Sequence, residues 1–137
     1  LSAEDFEGLV NVFGEFSANF FASDYSFRMR PFFSRYISGL SAGCDAFAQD
    51  WSRGFGFFHP PVGLVPRLMD KAREDGAQGL LVVPDWPQSA MAREIRACEE
   101  LELVGRWRPV FECPVWFRTA TFRGRSSFDV LVFRMRF

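Results

Sequence analysis

The chain has 137 residues, 48% of them hydrophobic and 18% aromatic, and its 16 basic and 17 acidic side chains give a net charge of −1. This length allows one domain with a sizeable core and excludes two, so we expect a single domain over 1–137. The near-zero net charge excludes an argument for a nucleic-acid partner from the whole-molecule field, though not from a local basic surface. Because the chain begins without Met and stops inside a strand-like run, we expect a domain cut from a longer polypeptide.

Cysteine and histidine usage limits the chemistry available to the chain. Cys44, Cys98 and Cys113 are widely spaced and odd in number, which fits neither a disulfide framework nor paired metal ligands. They predict buried thiols in a reducing, intracellular compartment, the cytoplasm or the nucleus. His59 is the only histidine, so a zinc site or a Ser-His-Asp triad would have to be built around it alone, and we expect no metal. The sequence also has no long apolar span, and we expect no membrane partner.

The first part of the chain predicts one helix and short strands. SAEDFEGLVNVFGEF has apolar residues at helical spacing, and Gly14 predicts the end of that helix. FSANFFAS predicts a buried strand that ends near Ala22. DYSFRMRPFFSRYISG has no clean period around Pro31 and predicts a loop or a broken short helix, whereas GCDAFAQDW predicts a second short strand and a turn.

The second part alternates strands with helices. GFGFFHPPVGL predicts a third strand, and the helix predicted after it ends at Gly76. QGLLVVPDWP predicts a strand buried on both sheet faces, because Leu-Leu-Val-Val offers no polar face. QSAMAREIRACEELELVG predicts a helix that ends at Gly105, and the tail then switches to strands, with FDVLVFRMRF alternating like a strand at a sheet edge.

This order of elements predicts an α/β fold with a largely parallel sheet. In such sheets the ligand crevice lies beyond the carboxyl ends of the strands. Three small or proline-rich segments follow predicted strands, at 21–23, 59–61 and 84–87. We therefore expect these segments to converge on a site.

The ordered motifs ANFFAS, DAFAQDW, FFHPPVGLV and LLVVPDWP resemble a known family. They are similar to the adenine-methyltransferase-like domain of DIRS-type (tyrosine-recombinase) retrotransposon polyproteins, which is similar to phage DNA N6-adenine methyltransferases. The match runs from about residue 6 to 90, with a weaker match over 117–134. The residues that match as they stand are Phe21, Ala22, Ser23, Phe32 to Arg35, Asp45, Ala46, Phe47, Gln49, Asp50, Trp51, Pro60, Pro61, Leu64 to Arg67, Pro84, Trp86 and Pro87.

The resemblance implies a Rossmann-like, methyltransferase-type three-layer sandwich. Its sheet would be mostly parallel, with the LLVVP strand central and the last two strands antiparallel at one C-terminal edge. In the family pattern an acidic residue at the end of the first strand holds S-adenosylmethionine, and an Asn/Asp-Pro-Pro-aromatic loop receives the target adenine. The cofactor residues implied here are Asn19, Phe21, Ala22, Ser23 and Asp45. The residues implied for the catalytic loop are His59, Pro60 and Pro61.

This sequence departs from the family pattern at three positions. Asn19 replaces the acid, His59 replaces the Asn or Asp of the loop, and Val62 replaces its aromatic residue. A base on Val62 loses stacking worth about 1–3 kcal/mol. We therefore expect a catalytically degenerate domain without bound S-adenosylmethionine that serves as a structural or interaction module beside the other domains of a retroelement polyprotein.

Two other functions remain open from the sequence. One is an active S-adenosylmethionine-dependent DNA adenine methyltransferase with an unusual loop. The other is a nucleic-acid-binding module beside a reverse transcriptase, with DNA as partner. The arginines that would contact phosphates in that module are Arg28, Arg30, Arg35, Arg123 and Arg125.

Single residues also allow two interpretations each. His59 is either a general base or amino-group acceptor, or a strand-end imidazole bonded to the backbone. Asp45 and Asp50 either contact cofactor adenosine or cap the next helix and turn. Trp86 either lines the crevice or packs in the core.

Overall fold

The computed structural model describes residues 3–22, 29, 31–34, 42–108, 110–114, 121–125 and 129–137. The helices are α1 (Ala3–Phe13), α2 (Val65–Asp75) and α3 (Ala90–Arg96), and 3₁₀ helices cover Ala46–Ala48 and Val62–Leu64. The strands are β1 (Asn19–Ala22), β2 (Phe32–Ser34), β3 (Gly43–Cys44), β4 (Gly56–Phe58), β5 (Gln78–Pro84), β6 (Leu101–Trp107), β7 (Val110–Pro114), β8 (Thr121–Arg125) and β9 (Val130–Arg136).

Seven strands form one sheet in the order β3-β2-β1-β4-β5-β9-β6. The pairs from β3 to β5 are all parallel, whereas β9 is antiparallel to both β5 and β6. This order is the doubly wound order 3-2-1-4-5-6 with one reversed strand inserted before the last. The predicted α/β class and the mostly parallel sheet with an antiparallel C-terminal edge are confirmed.

The two faces of β5 are buried in separate apolar clusters. Leu81 and Val83 pack in a cluster with Leu68 of α2 and Ile95 of α3, which lie on one side of the sheet. Leu80 and Val82 pack in a second cluster with Phe6 and Leu9 of α1 on the other side. All four β5 side chains are at most 1% exposed. The strand therefore needs a helical layer on each face, as its unbroken apolar run predicted.

The ends of α1 and α2 follow from two glycines. Gly14 and Gly76 have φ angles of 88° and 68°, which glycine adopts without the steric cost of a Cβ atom. The amide of Gly14 donates to the carbonyl of Val10, and the amide of Ala77 donates to that of Ala72. Both predicted helix ends are confirmed.

Two predicted elements are wrong. The predicted helix up to Gly105 is shorter, because α3 ends at Arg96 and Leu101–Trp107 forms β6. Pairing of β6 with β9 at six register positions outweighs the helix propensity of its Glu and Leu residues. In the segment predicted as a loop or short helix, Phe32–Ser34 is strand β2, held by parallel pairing with β1 and β3.

The C-terminal edge is built from other strands than expected. FDVLVFRMRF contains β9, which lies inside the sheet, and the outermost strand is β6. The polar alternation that suggested an edge comes from Arg134 and Arg136; the Arg134 guanidinium carbon lies 5.8 Å from the Phe55 ring centroid. Strand β8 pairs with β7 in a separate two-stranded sheet.

The cysteine prediction holds for one of two described thiols. Cys98 is buried, whereas Cys44 is exposed, and neither forms a disulfide. The side chain of Cys113 lies outside what the structure describes. In the described part of the chain, no helix has the length and apolar character needed to span a bilayer.

Strands β4 and β5 approach each other closely at a pair of glycines. Gly79 faces Gly56, and a Cβ atom on Gly79 would overlap the Gly56 carbonyl, whereas no heavy atom lies within 4 Å of a Cβ on Gly105 in β6. We expect Gly79→Ala to lower the free energy of unfolding by about 2 kcal/mol or more. Gly105→Ala, the control, should change it by no more than about 0.5 kcal/mol. Equal effects in urea unfolding would contradict this packing.

Candidate functional site

The strand order reverses between β1 and β4. From β1 the chain adds β2 and β3 on one side, then returns to place β4 and β5 on the other. In doubly wound sheets, ligands bind beyond the carboxyl ends of the strands at this point. Strands β1, β4 and β5 are parallel neighbours that end at Ala22, Phe58 and Pro84, so the segments that follow them begin at one edge of the sheet, and their convergence on a site stays a prediction. Ser23 lies outside them.

The His-Pro-Pro loop connects β4 to α2 at this point. Pro60 is buried and Pro61 is exposed, with φ −54° and ψ 141°. The Leu64 amide donates to the Pro61 carbonyl at 3.0 Å, which closes the 3₁₀ turn leading into α2. Val62, at the position of the family's aromatic residue, packs against the cluster that contains Leu68. The prolines therefore fix the path of the chain, but the residue after them is used for packing.

His59 is a half-buried, neutral imidazole. Its ring lies edge-on to Phe57, with centroids 6.5 Å apart and planes at 74°. Burial disfavours the charged form and lowers the pKa of His59 to about 4. At neutral pH such a group forms hydrogen bonds but is a poor general base, because efficient bases have a pKa near the working pH.

An aromatic cluster occupies the carboxyl end of β1. The Phe21 ring lies 5.6 Å from that of Phe47 and 6.1 Å from that of Trp51. Trp51 is 1% exposed, and its indole Nε1 donates to the Ala46 carbonyl at 2.9 Å. Phe21 therefore contributes to packing at a position implied for the cofactor.

Both candidate aspartates cap local structure. The Asp45 carboxylate accepts a hydrogen bond from the Phe47 amide at 3.0 Å and caps the 3₁₀ helix, with Asp45 at φ 60°. The Asp50 carboxylate accepts from the Ser52 amide at 2.8 Å. Hydrogen bonds from the Ser52 side chain and backbone lower the pKa of Asp50. Of the two interpretations of these residues, the structure contains the capping one.

Asn19 begins β1 rather than ending it. Its side chain is 3% exposed, and its Oδ1 atom has no hydrogen-bond donor among the described residues. The distance along the strand to Ala22, at the carboxyl end, is about 10 Å. Asn19 therefore lies away from the edge where a cofactor would bind. With Phe21 packed and Asp45 capping, the described residues do not fit S-adenosylmethionine in the way that the resemblance implies.

Arg67 matches the family pattern in sequence, but no role in the site was predicted for it. Its guanidinium carbon lies 3.9 Å from the centroid of the Phe47 ring, a cation–π contact. Arg67 is exposed in the first turn of α2, beside the aromatic cluster. Its position directly after the proline loop could have indicated this role. A helix that starts at the carboxyl end of a strand keeps its first turn near that edge of the sheet.

Only part of the predicted phosphate-binding set is described. Arg123 faces Glu112 and Arg125 faces Val110 in the β7–β8 ladder, outside the seven-stranded sheet. Arg28, Arg30 and Arg35 lie outside the described residues. Among the residues that are described, no three His, Cys, Asp or Glu side chains cluster as a metal site requires.

No protein-family model matches the chain, and no curated protein matches it.

The low pKa of His59 predicts a pH-dependent stability. The unfolded chain protonates near pH 6.5 and the folded chain only near 4, so stability present above pH 6.5 is lost as the pH falls towards 4. Between pH 7 and pH 4 we expect the wild type to lose on the order of 2 kcal/mol more than His59→Gln. Urea unfolding at both pH values measures this difference. Parallel losses in the two proteins would show that His59 is not buried as described.

Proposed function

We propose that the chain is a catalytically degenerate DNA adenine-methyltransferase-like domain of a retroelement polyprotein, which serves as a structural or interaction module. One observation carries the proposal. The His-Pro-Pro loop lies at the carboxyl end of β4 beside β1, at the switch point where a base-binding loop is expected, yet its neighbours are used for packing. The loop keeps the position of a base-binding loop, but the residues beside it do not have the groups that such a loop uses.

The sheet supports the proposal that the domain is methyltransferase-like. Its order is that of a Rossmann-like sheet with one reversed strand, β9, near the C-terminal side. The matched motifs ANFFAS, FFHPPVGLV and LLVVPDWP contribute β1, β4 and β5, the three strands whose carboxyl ends flank the expected site. A methyltransferase-type sandwich accounts for this order of motifs and strands together.

The side chains support the proposal that the domain is catalytically degenerate. Holding S-adenosylmethionine through its ammonium or ribose hydroxyls favours a carboxylate, and Asn19 is a neutral amide at the other end of β1. Receiving adenine needs an acceptor for its amino group and a ring to stack on it. His59 can accept a hydrogen bond, but Val62 offers no ring and packs against the core. Among the described residues, two of the three required groups are therefore missing.

A domain without this chemistry still has a use as a rigid module. Phe20 stacks on Phe33 and Phe58 at centroid distances of 5.3 and 4.8 Å, and both prolines of the loop fix φ. Such a body holds its surface groups in fixed positions for neighbouring domains of the same polyprotein. Because these surface groups are already ordered, less conformational entropy is lost when a partner binds, and the association is stronger.

Isothermal titration with S-adenosylmethionine tests the degeneracy. We expect no binding by the wild type up to about 1 mM ligand, because position 19 carries a neutral amide where the family pattern has a carboxylate. In the triple variant Asn19→Asp, His59→Asn and Val62→Phe, we expect binding to remain unmeasurable, because a carboxylate at position 19 would lie at the start of β1, about 10 Å from its carboxyl end. Asn11→Asp, which adds the same charge on an exposed face of α1, is the control and should not bind.

A dissociation constant in the micromolar range for the wild type, about −8 kcal/mol, would contradict the proposal and favour an active enzyme. This wild-type measurement decides the question even if the triple variant is unstable. Circular dichroism of each variant before titration separates loss of fold from loss of binding.

A further inference from the structure

A groove of about 440 Å³ lies away from the switch point, on the face of the sheet that α2 and α3 cover. Leu103, Leu131 and Phe133 of β6 and β9 form its floor, and Met91 and Ile95 of α3 form one wall. It opens beside the Pro-Asp-Trp-Pro turn, residues 84–87, which follows β5. This turn is one of the three small or proline-rich segments that follow predicted strands, and it has no part in the proposed function.

The groove exists because α3 is short. The helix has 7 residues and leaves the outer strand β6 partly uncovered. Leu103 is 53% exposed and Trp86 is 41% exposed, so the core interpretation of Trp86 is wrong. Of the three large apolar side chains that the described residues expose, these two line the groove. Apolar exposure concentrated in a concave surface is typical of a binding site.

The turn that carries Trp86 is held in one conformation. The Trp86 amide donates to the Pro84 carbonyl at 3.1 Å, and the Ser89 hydroxyl donates to the Trp86 carbonyl at 2.7 Å. The Asp85 amide donates to the Asp129 carbonyl at 2.8 Å. A rigid aromatic residue at a groove mouth contributes contact area at low entropic cost.

The charged groups of the groove leave one unneutralised cation. Arg106 and Asp85 form an ion pair at 2.6 Å, so their charges cancel. Arg96 also lines the groove, and its Nη1 donates to the Pro87 carbonyl at 3.3 Å. No carboxylate among the described residues pairs with Arg96. The groove is therefore apolar with a net positive charge at its rim.

We infer that this groove binds a small apolar anion, one or two rings bearing a carboxylate or sulfonate. Its volume falls in the range of small-molecule sites, about 300–1,000 Å³. The rings fit between Trp86 and the Leu103–Phe133 floor, and the anionic group fits Arg96. The inference goes beyond the proposed function and does not depend on it, because the groove shares no residue with the switch-point loop.

Two probes that differ in charge test the ligand class. Indole-3-acetate and tryptamine carry the same ring, one with a carboxylate and the other with an ammonium group. In ¹H–¹⁵N NMR titrations of the full chain, we expect indole-3-acetate to shift groove amides with a dissociation constant below about 1 mM. Tryptamine should bind about two- to fivefold more weakly, because one exposed charge pair contributes up to about 1 kcal/mol.

Matched variants locate the site. Arg96→Gln should weaken indole-3-acetate binding about two- to fivefold, and Arg93→Gln, one turn earlier on α3 and outside the groove, should not. Leu103→Glu should abolish binding, whereas Val12→Glu, at an exposed apolar position on α1 outside the groove, should leave it unchanged.

Equal affinity for the two probes, shifts outside the groove, or no binding of indole-3-acetate at about 10 mM would each overturn the inference. None of these results bears on the titration with S-adenosylmethionine, which probes the switch point between β1 and β4 rather than the groove beside β6. The two proposals therefore fail separately.

Discussion

The burial of β5 on both faces is the constraint on which the rest of the fold depends. A strand whose Leu80, Leu81, Val82 and Val83 are all at most 1% exposed needs a partner strand on each side and a helix on each face. The partner strands are β4 and β9. Helix α1 covers one face, and α2 and α3 cover the other. The carboxyl end of β5 is then fixed, and with it the positions of the loop after β4 and the groove beside Trp86.

Elements with local signals could be predicted from the sequence. The ends of α1 and α2 follow from Gly14 and Gly76, and β5 follows from its apolar run. Strands β2 and β6 could not be predicted, because distant partners determine them: β2 pairs with β1 and β3, and β6 pairs with β9. Their own residues are compatible with a loop or a helix.

The same division applies to the site. The position of His59 after a strand could be read from the prolines that follow it. The place of Asn19 at the start of β1 and the contact of Arg67 with Phe47 depend on register and helix packing, which no local pattern encodes. The low pKa of His59 likewise results from burial. Except for Oδ1 of Asn19, the buried polar side-chain atoms of the described site residues have hydrogen-bond partners within the fold.

The place of β9 between β5 and β6 has a consequence for how the chain is made. Strand β9 pairs with β5 at seven register positions, from Gln78↔Arg136 to Pro84↔Val130, so an inner strand of the sheet follows the other six in chain order. Until Val130–Arg136 emerges from the ribosome, β5 presents an apolar edge with unpaired amides and carbonyls, which other chains can bind. Correct folding therefore requires β9 to dock before another chain pairs with β5, and truncation ahead of β9 would leave a fragment that aggregates rather than a smaller domain.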